Sequence, residues 1–391
     1  MTSEQDEQAF GAIARVQPRL VDLRPAAEVV AFPPRTVLHA GPPFEQPSAV
    51  PAPVANSAAA AVVFEGWAHH RDEALALLAL GDVRLAPAQD HRCAVPLASV
   101  LSPSQQVQVV HDAAGHTRPA FAPLNGGSGP ALRLGLPGPE VVAHLRWLNG
   151  AFADALRERC RSGIDLLPIA DRALAEGDDG HGRTVAATAL LAQALAPLPA
   201  QASGYLAESP GFFLNLWMAA VKCMLGAAEG VEGSTVVTAM GGNGVHMGLQ
   251  LAARPGHWVL APSSPPDGRL DAGIDAADRL PAIGDSALVE AFGLGAMAFG
   301  HSPAQREALG AFLPEPADQL ARALLWKPHP AFTQSNARFG LSAQAVLKTG
   351  KAPVVALGIL DRHGRRGRIG GGIFQAAVAH FERALHGVGT H

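Results

Sequence analysis

The stretch STVVTAMGGNGVHMGLQL, residues 234–251, decides how the chain is read. Val245, Met247, Leu249 and Leu251 alternate with His246, Gly248 and Gln250, the period of two that gives a strand one apolar face. Gly242, Gly244 and Gly248 invite comparison with the dinucleotide-binding fingerprint, but that motif needs a helix after its glycines to aim N–H groups at a pyrophosphate. A second strand follows instead. The segment therefore reads as a β-hairpin with an Asn-Gly turn.

Toward the C-terminus, IGDS (283–286) opens a helix, residues 303–325 form a helical stretch broken by proline, and residues 354–374 read as a second hairpin before a last helix. Toward the N-terminus the period changes. Val141, Leu145, Leu148, Phe152 and Leu156 fall on one helix face, and further helical runs cover about 165–176 and 184–197. Ser209-Pro210 signals another helix start, with Phe212, Leu216, Ala220 and Met224 as its apolar stripe. Before Pro139, PRTVLHAGPPF (34–44) is a short strand halted by Gly41-Pro42-Pro43, and LNGGSG (124–129) lies between two strand-like runs. The expected fold class is α+β and multidomain: a mixed α/β region over 1–138, a helical module over 139–230, and a second mixed region with hairpin sheets over 231–391.

With 391 residues, 48% of them hydrophobic and only 16% charged, the chain can bury a large core. The 30 Lys+Arg against 34 Asp+Glu give a net charge of -4, which argues against wrapping nucleic acid or coating an anionic membrane. MTSEQDEQ is acidic and polar where a secretory signal is basic and then apolar, and no apolar run reaches the ~18 residues of a membrane span. Cys93, Cys160 and Cys223 are isolated, with no CxxC pair, as expected in a reducing cytoplasm.

Several segments could carry chemistry. GDDGHGRTVAAT (177–188) sets Asp178, Asp179, His181 and Arg183 in a glycine-rich turn that runs into a helix, either as an anion cradle of free N–H groups or as an ordinary Asp cap with solvated neighbours. Asn125, Gly126 and Gly127 form either a backbone nest for an anion or a hairpin turn; Asn243 and Gly244 present the same choice, with Asn243 able to offer an amide to a carbonyl or oxyanion. Asp285 and Ser286 stand where a helix cap or a substrate contact would be, and His39 ends a strand just before a stiff loop. HDAAGH (111–116) has the wrong spacing for a zinc helix, and GxSxG, P-loop and HExxH motifs do not occur, so no metal site is assigned.

Taken in order, VLHAGPP, VLSPS, the His181–Arg183 segment with TVAAT, FFLNLWMAA, GVEGSTVVTAM, IGDSA and GRIGGGI resemble the bacterial YlbE-like family over about residues 10–385. That family contains the G subunit of the three-part oxamate carbamoyltransferase of allantoin and purine breakdown. The resemblance implies carbamoyl transfer between phosphate and oxamate, interconverting oxalurate and carbamoyl phosphate, beside two companion subunits. The chain departs from the family pattern at Gly242, where an arginine is usual, at His246, where an acid is usual, and at Gly182, in place of Asn. It is also one residue shorter in HRCAVPLAS (91–99).

Carbamoyl transfer needs cations and N–H groups on the phosphate, a donor to the carbonyl oxygen, and a base for the attacking amide. The candidates are Arg183, Asp179, Asn125, Gly126, Gly127, Gly244, Asp285 and Ser286 for holding a small anionic substrate, Asn125 or Asn243 as carbonyl donor, and His39 or His181 as base. This chemistry calls for no cofactor and no metal. Companion subunits are the expected partners, and self-association is left open. Two other classes stay in view: a non-catalytic subunit that shapes a partner's site, and a metal-dependent amidohydrolase acting on a ureido compound.

Overall fold

A computed structural model describes residues 2–386 and 388. The expected α+β class is what it shows: helices packed on several small sheets, most of whose strand pairs are antiparallel. Strand Pro18–Pro25 lies between Gln106–Asp112 and Ile164–Asp165, and Ala120–Pro123 completes that sheet beyond Gln106–Asp112. A second sheet runs in the order Val259–Pro262, His246–Leu251, Val237–Asn243, Ile283–Gly284, and its central pair is the expected hairpin. A third is built on the hairpin Val354–Leu360/Arg368–Gln375. Strand Thr36–His39, wholly buried, pairs in parallel with Arg84–Pro87 and antiparallel with Val100–Leu101.

The helix Phe213–Leu225 differs from the expectation of a single apolar stripe. Every residue in it except Leu214 is buried. It packs on Gln106–Asp112 and Ala120–Pro123 and also on Val237–Asn243, so it needs an apolar surface all round. The two polar residues are satisfied in place. Asn215 Nδ2 donates to Pro123 O at 3.0 Å, and Lys222 Nζ reaches Glu229 at 3.0 Å and Thr238 O at 3.4 Å. Ser209 does not cap this helix, because its Oγ accepts the Ser128 N–H at 2.9 Å and the helix begins only at Phe213.

The five apolar positions from Val141 to Leu156 are all buried as their spacing predicts, although the helix is interrupted by a π-type turn at Leu148–Phe152, where Gly150 leaves helical geometry. One apolar core draws on residues from Ala9 to Ala384. A smaller one gathers around helix Ala52–Phe64. Asp6, in the first helix Glu4–Arg15, is buried and accepts from Ser234 Oγ (2.9 Å), Thr235 N (2.6 Å) and Thr235 Oγ1 (2.7 Å), tying the first helix to the residues that lead into the inner strand Val237–Asn243. No helix of the described residues is long and apolar enough to cross a membrane.

Candidate functional site

The short helix Ala287–Phe292 is buried along its whole length, and a carboxylate at each end organises the loops around it. At its start the Asp285 side chain does not cap the helix. Its Oδ1 accepts Gly41 N–H at 2.9 Å and the Gln89 amide at 2.6 Å, and its Oδ2 accepts Val95 N–H at 2.9 Å. Full burial pushes its pKa up to about 7 against these hydrogen bonds and the field of Lys222. Ser286 is buried and makes no capping bond.

Around Asp285 the chains touch backbone to backbone. Gly41 sits at φ 75°, and a Cβ there would stand 2.3 Å from the carbonyl carbon of Gly242, so only glycine fits. A side chain at Gly242 would in turn meet Ala282 O at 2.4 Å, so the arginine usual in the family has no space here. Asn243 spends its whole amide on the fold: Oδ1 accepts the N–H groups of Val245 (2.9 Å) and His246 (2.7 Å), and Nδ2 donates to Pro42 O at 3.0 Å. Gly244, at φ 83°, completes the turn. His39 is buried against Phe44, its Nδ1 donates to Ala40 O at 2.8 Å, and its Nε2 is enclosed without a partner. Burial lowers its pKa to about 4. Asn243 is fully buried with both its amide oxygen and its amide nitrogen bonded to the fold, and the unpartnered Nε2 of His39 is enclosed.

The 177–184 turn resolves the choice posed by its sequence. Asp178 takes the free N–H groups of helix Val185–Leu195, accepting from Val185 N at 3.0 Å and Ala187 N at 2.9 Å, so the helix start is already filled by the protein's own carboxylate. Arg183 is half-exposed, its Nε 3.7 Å from Asp178. Asp179 Oδ1 accepts His181 N (2.6 Å) and Arg183 N (3.0 Å), while Oδ2 is enclosed and unpartnered; burial raises its pKa to about 6.

His181 is where this turn acquires chemistry. Its Nδ1 lies 2.8 and 2.9 Å from the two carboxylate oxygens of Glu290, near the far end of the same short helix. Glu290 is fully buried, and its Oε1 also accepts Ala296 N and Ala356 N at 3.1 Å each. Burial pulls the imidazole pKa down, but Glu290 and Asp179 outweigh it and hold it above the ordinary value. Nε2 makes no hydrogen bond and, unlike Nε2 of His39, is not enclosed. Glu290 escaped the sequence reading. Its one signal is a lone acid in the apolar run ALVEAF.

The third group is the glycine loop. Asn125 Nδ2 donates to Ser99 Oγ at 2.8 Å, Tyr205 hydroxyl donates to Gly126 O at 2.6 Å, and Arg133 Nη2 donates to Gly127 O at 2.8 Å. The run after it is a single 3-10 turn, Leu132–Leu134, and not the expected strand, because Ser57 Oγ, Ala98 N–H and Asn56 Nδ2 take the carbonyls of Leu132, Arg133 and Gly135. The structure thus separates the candidates: His39, Asn243, Gly244 and Asp285 lie around one buried carboxylate, Asp179, His181 and Arg183 occupy the turn beside Glu290, and Asn125, Gly126 and Gly127 form a third loop. Five surface concavities of about 250 to 550 Å³ are lined by other residues. One grouping with metal-ligand spacing, Asp278, Asp361 and His363, stands among the described residues, and the Arg366 guanidinium is already paired with both carboxylates.

These pairings make stability pH-dependent. The ordinary imidazole and carboxyl values are near 6.5 and 3.9, and the folded values of His181 and Asp285 are both raised. The folded chain therefore holds protons that the unfolded chain gives up, a contribution fully present below the unfolded pKa and lost as pH rises through the folded one. The buried imidazoles of His39, His329 and His380, held at about 4, work in the opposite sense, so the contribution is read as a difference: the stability advantage of the parent over Asp285→Asn is expected to shrink as pH rises through about 7. A difference that does not change with pH in scanning calorimetry would contradict this.

Comparison with known proteins agrees with the geometry of a shared fold. Residues 83–286 match the family model described as oxamate carbamoyltransferase subunit AllG. The chain is 31% identical over 396 residues to oxamate carbamoyltransferase subunit AllG of Escherichia coli (strain K12), covering 95% of this chain and 94% of that protein. It is 32% identical to the uncharacterized protein YahG of the same organism, covering 98% and 85% of the two. A crystal structure of a conserved protein of unknown function from Enterococcus faecalis V583 superposes with a TM-score of 0.91 at 29% identity, covering 98% of this chain and 97% of that one. With a family model spanning more than half its length and a relative matched nearly end to end, the chain belongs to the family of oxamate carbamoyltransferase subunit AllG.

Proposed function

We propose that this chain works as a subunit of an oxamate carbamoyltransferase and supplies His181 as the proton-handling group in carbamoyl transfer between phosphate and a small amide such as oxamate. The observation that carries the reading is the His181–Glu290 pair: a buried imidazole fixed at Nδ1 by a carboxylate, with Nε2 not wholly enclosed and without a hydrogen bond among the described residues. A carboxylate only accepts, so it holds the proton on Nδ1 and leaves the Nε2 lone pair outward, the tautomer a general base needs. In the direction that makes oxalurate, the oxamate nitrogen bonds to the carbamoyl carbon, the carbon–oxygen bond to phosphate breaks with its electron pair passing to phosphate, and the nitrogen's proton goes to Nε2.

The test is turnover of the chain purified with its companion subunits. His181→Asn, whose amide N–H can still donate to the buried Glu290 carboxylate, is expected to lose roughly 10²- to 10⁴-fold in kcat while the unfolding midpoint stays within a few degrees of the parent. A parental rate would overturn the assignment. It would favour instead a subunit that shapes a partner's site, a reading to which the internally satisfied Asn243 and Asp285 lend support.

A further inference from the structure

The turn Leu132–Leu134 is held from two sides. Ser57 Oγ donates to Leu132 O at 2.7 Å and Asn56 Nδ2 donates to Gly135 O at 2.9 Å, both from helix Ala52–Phe64, while Leu134 packs beside Gly367. Arg133 leaves this fixed turn toward the glycine loop, where Nη2 donates to Gly127 O at 2.8 Å. Gly127 sits at φ 90°, with Tyr205 and Ser209 so close that a Cβ would stand 2.5 Å from the phenol oxygen. The remaining Arg133 donors, Nε and Nη1, make no hydrogen bond and are not enclosed. No carboxylate among the described residues pairs with Arg133.

The charged neighbour it has is another cation. Arg368 begins the strand Arg368–Gln375, its Nε donates to Gly370 O at 2.9 Å, and it likewise has no acidic partner among the described residues. Its side chain lies across Gly358 and Gly371, which face each other in the hairpin: a Cβ at Gly358 would be 3.5 Å from Arg368 Cδ and Nε, and one at Gly371 would be 3.1 Å from Nη2. Burial lowers the pKa of Arg133, and the Arg368 charge lowers it further. Leu134 and Gly367, the chain neighbours of Arg133 and Arg368, pack beside each other, so the two guanidinium forks share one neighbourhood with spare donors and no acid among the described residues, an arrangement that an oxyanion would relieve. The strand Val354–Leu360, which carries Gly358, also reaches the His181–Glu290 pair. Gly358 is two residues along its strand from Ala356, whose N–H binds Glu290, a step of roughly 6 to 7 Å.

We propose that Arg133 and Arg368 form a binding site for the oxyanion group, carboxylate or phosphate, of a small substrate. The site deepens the carbamoyl-transfer reading and rests on it for the choice of anion, but it is tested without turnover. Inorganic phosphate and oxamate are titrated separately into the purified full chain by calorimetry. Saturable binding of either is expected, weakened at least tenfold by Arg133→Gln and by Arg368→Gln, and unchanged by Arg159→Gln at an exposed helix position. Arg133→Lys, which keeps the charge and loses the fork, should fall between, and guards against a glutamine variant that fails to fold. Binding of phosphate alone assigns the leaving group to this site, binding of oxamate alone assigns the acceptor, and mutual competition lets either occupy it. No saturable binding, or binding that neither arginine affects, overturns the proposal even if turnover still depends on His181. Binding that survives while turnover ignores His181 upholds this site and defeats the other reading.

Discussion

Glu290→Gln is expected to leave the fold intact and slow carbamoyl transfer by roughly 10²- to 10⁴-fold, the range seen when a general base loses its orienting carboxylate. The amide oxygen can still accept the N–H groups of Ala296 and Ala356. What goes is the anion facing Nδ1. The amide's other end is a donor, which turns Nδ1 into an acceptor and puts the proton on Nε2, where the lone pair has to be. Because Glu290 positions His181 and need not touch substrate, rate alone does not prove the role. The pH–rate profile does: removing the carboxylate lets burial dominate, so the apparent pKa of the base should drop relative to the parent. A variant with the parental profile would show that the pair is merely structural.

Asp285→Ala should have the largest effect on stability. It strips the acceptor from the Gly41 and Val95 N–H groups and from the Gln89 amide, all in buried surroundings. An orphaned buried donor costs roughly 1–3 kcal/mol, and three together amount to several kcal/mol out of the ~5–15 kcal/mol that holds a domain folded. Asp285→Asn should be milder, since Oδ1 survives, yet its new amide N–H groups would face the Val95 N–H. Denaturant titration of both variants checks this; a loss below about 1 kcal/mol in the alanine variant, less than one orphaned donor costs, would show that the carboxylate is not the anchor.

The sequence made legible what depends on near neighbours. Alternation over 237–251 fixed the hairpin, the Val141–Leu156 spacing fixed a buried helical face, and the 177–188 composition pointed to a helix start. The roles of side chains were legible only where their partners are local. Asp178 caps a helix seven residues away, one of the two readings that its sequence allows. Asp285 reads locally as a cap or a substrate contact because the groups that bind it lie 190 and 244 residues away, and Glu290 gives no local sign of its partner because that imidazole is 109 residues distant. Arg133 gave no local signal either, since what marks it is the absence of an acid in a neighbourhood assembled from distant stretches.

The direct contact between Gly41 and Gly242 limits how the chain can drift over generations. A methyl added at Gly41 would wedge it from Gly242, about two hundred residues distant in the chain, and displace the amide that Asp285 binds, while one at Gly242 would push away Ala282, three residues before Asp285. Change at these two sites is thus penalised jointly with change at 285. A lineage altering one would have to rebuild all three.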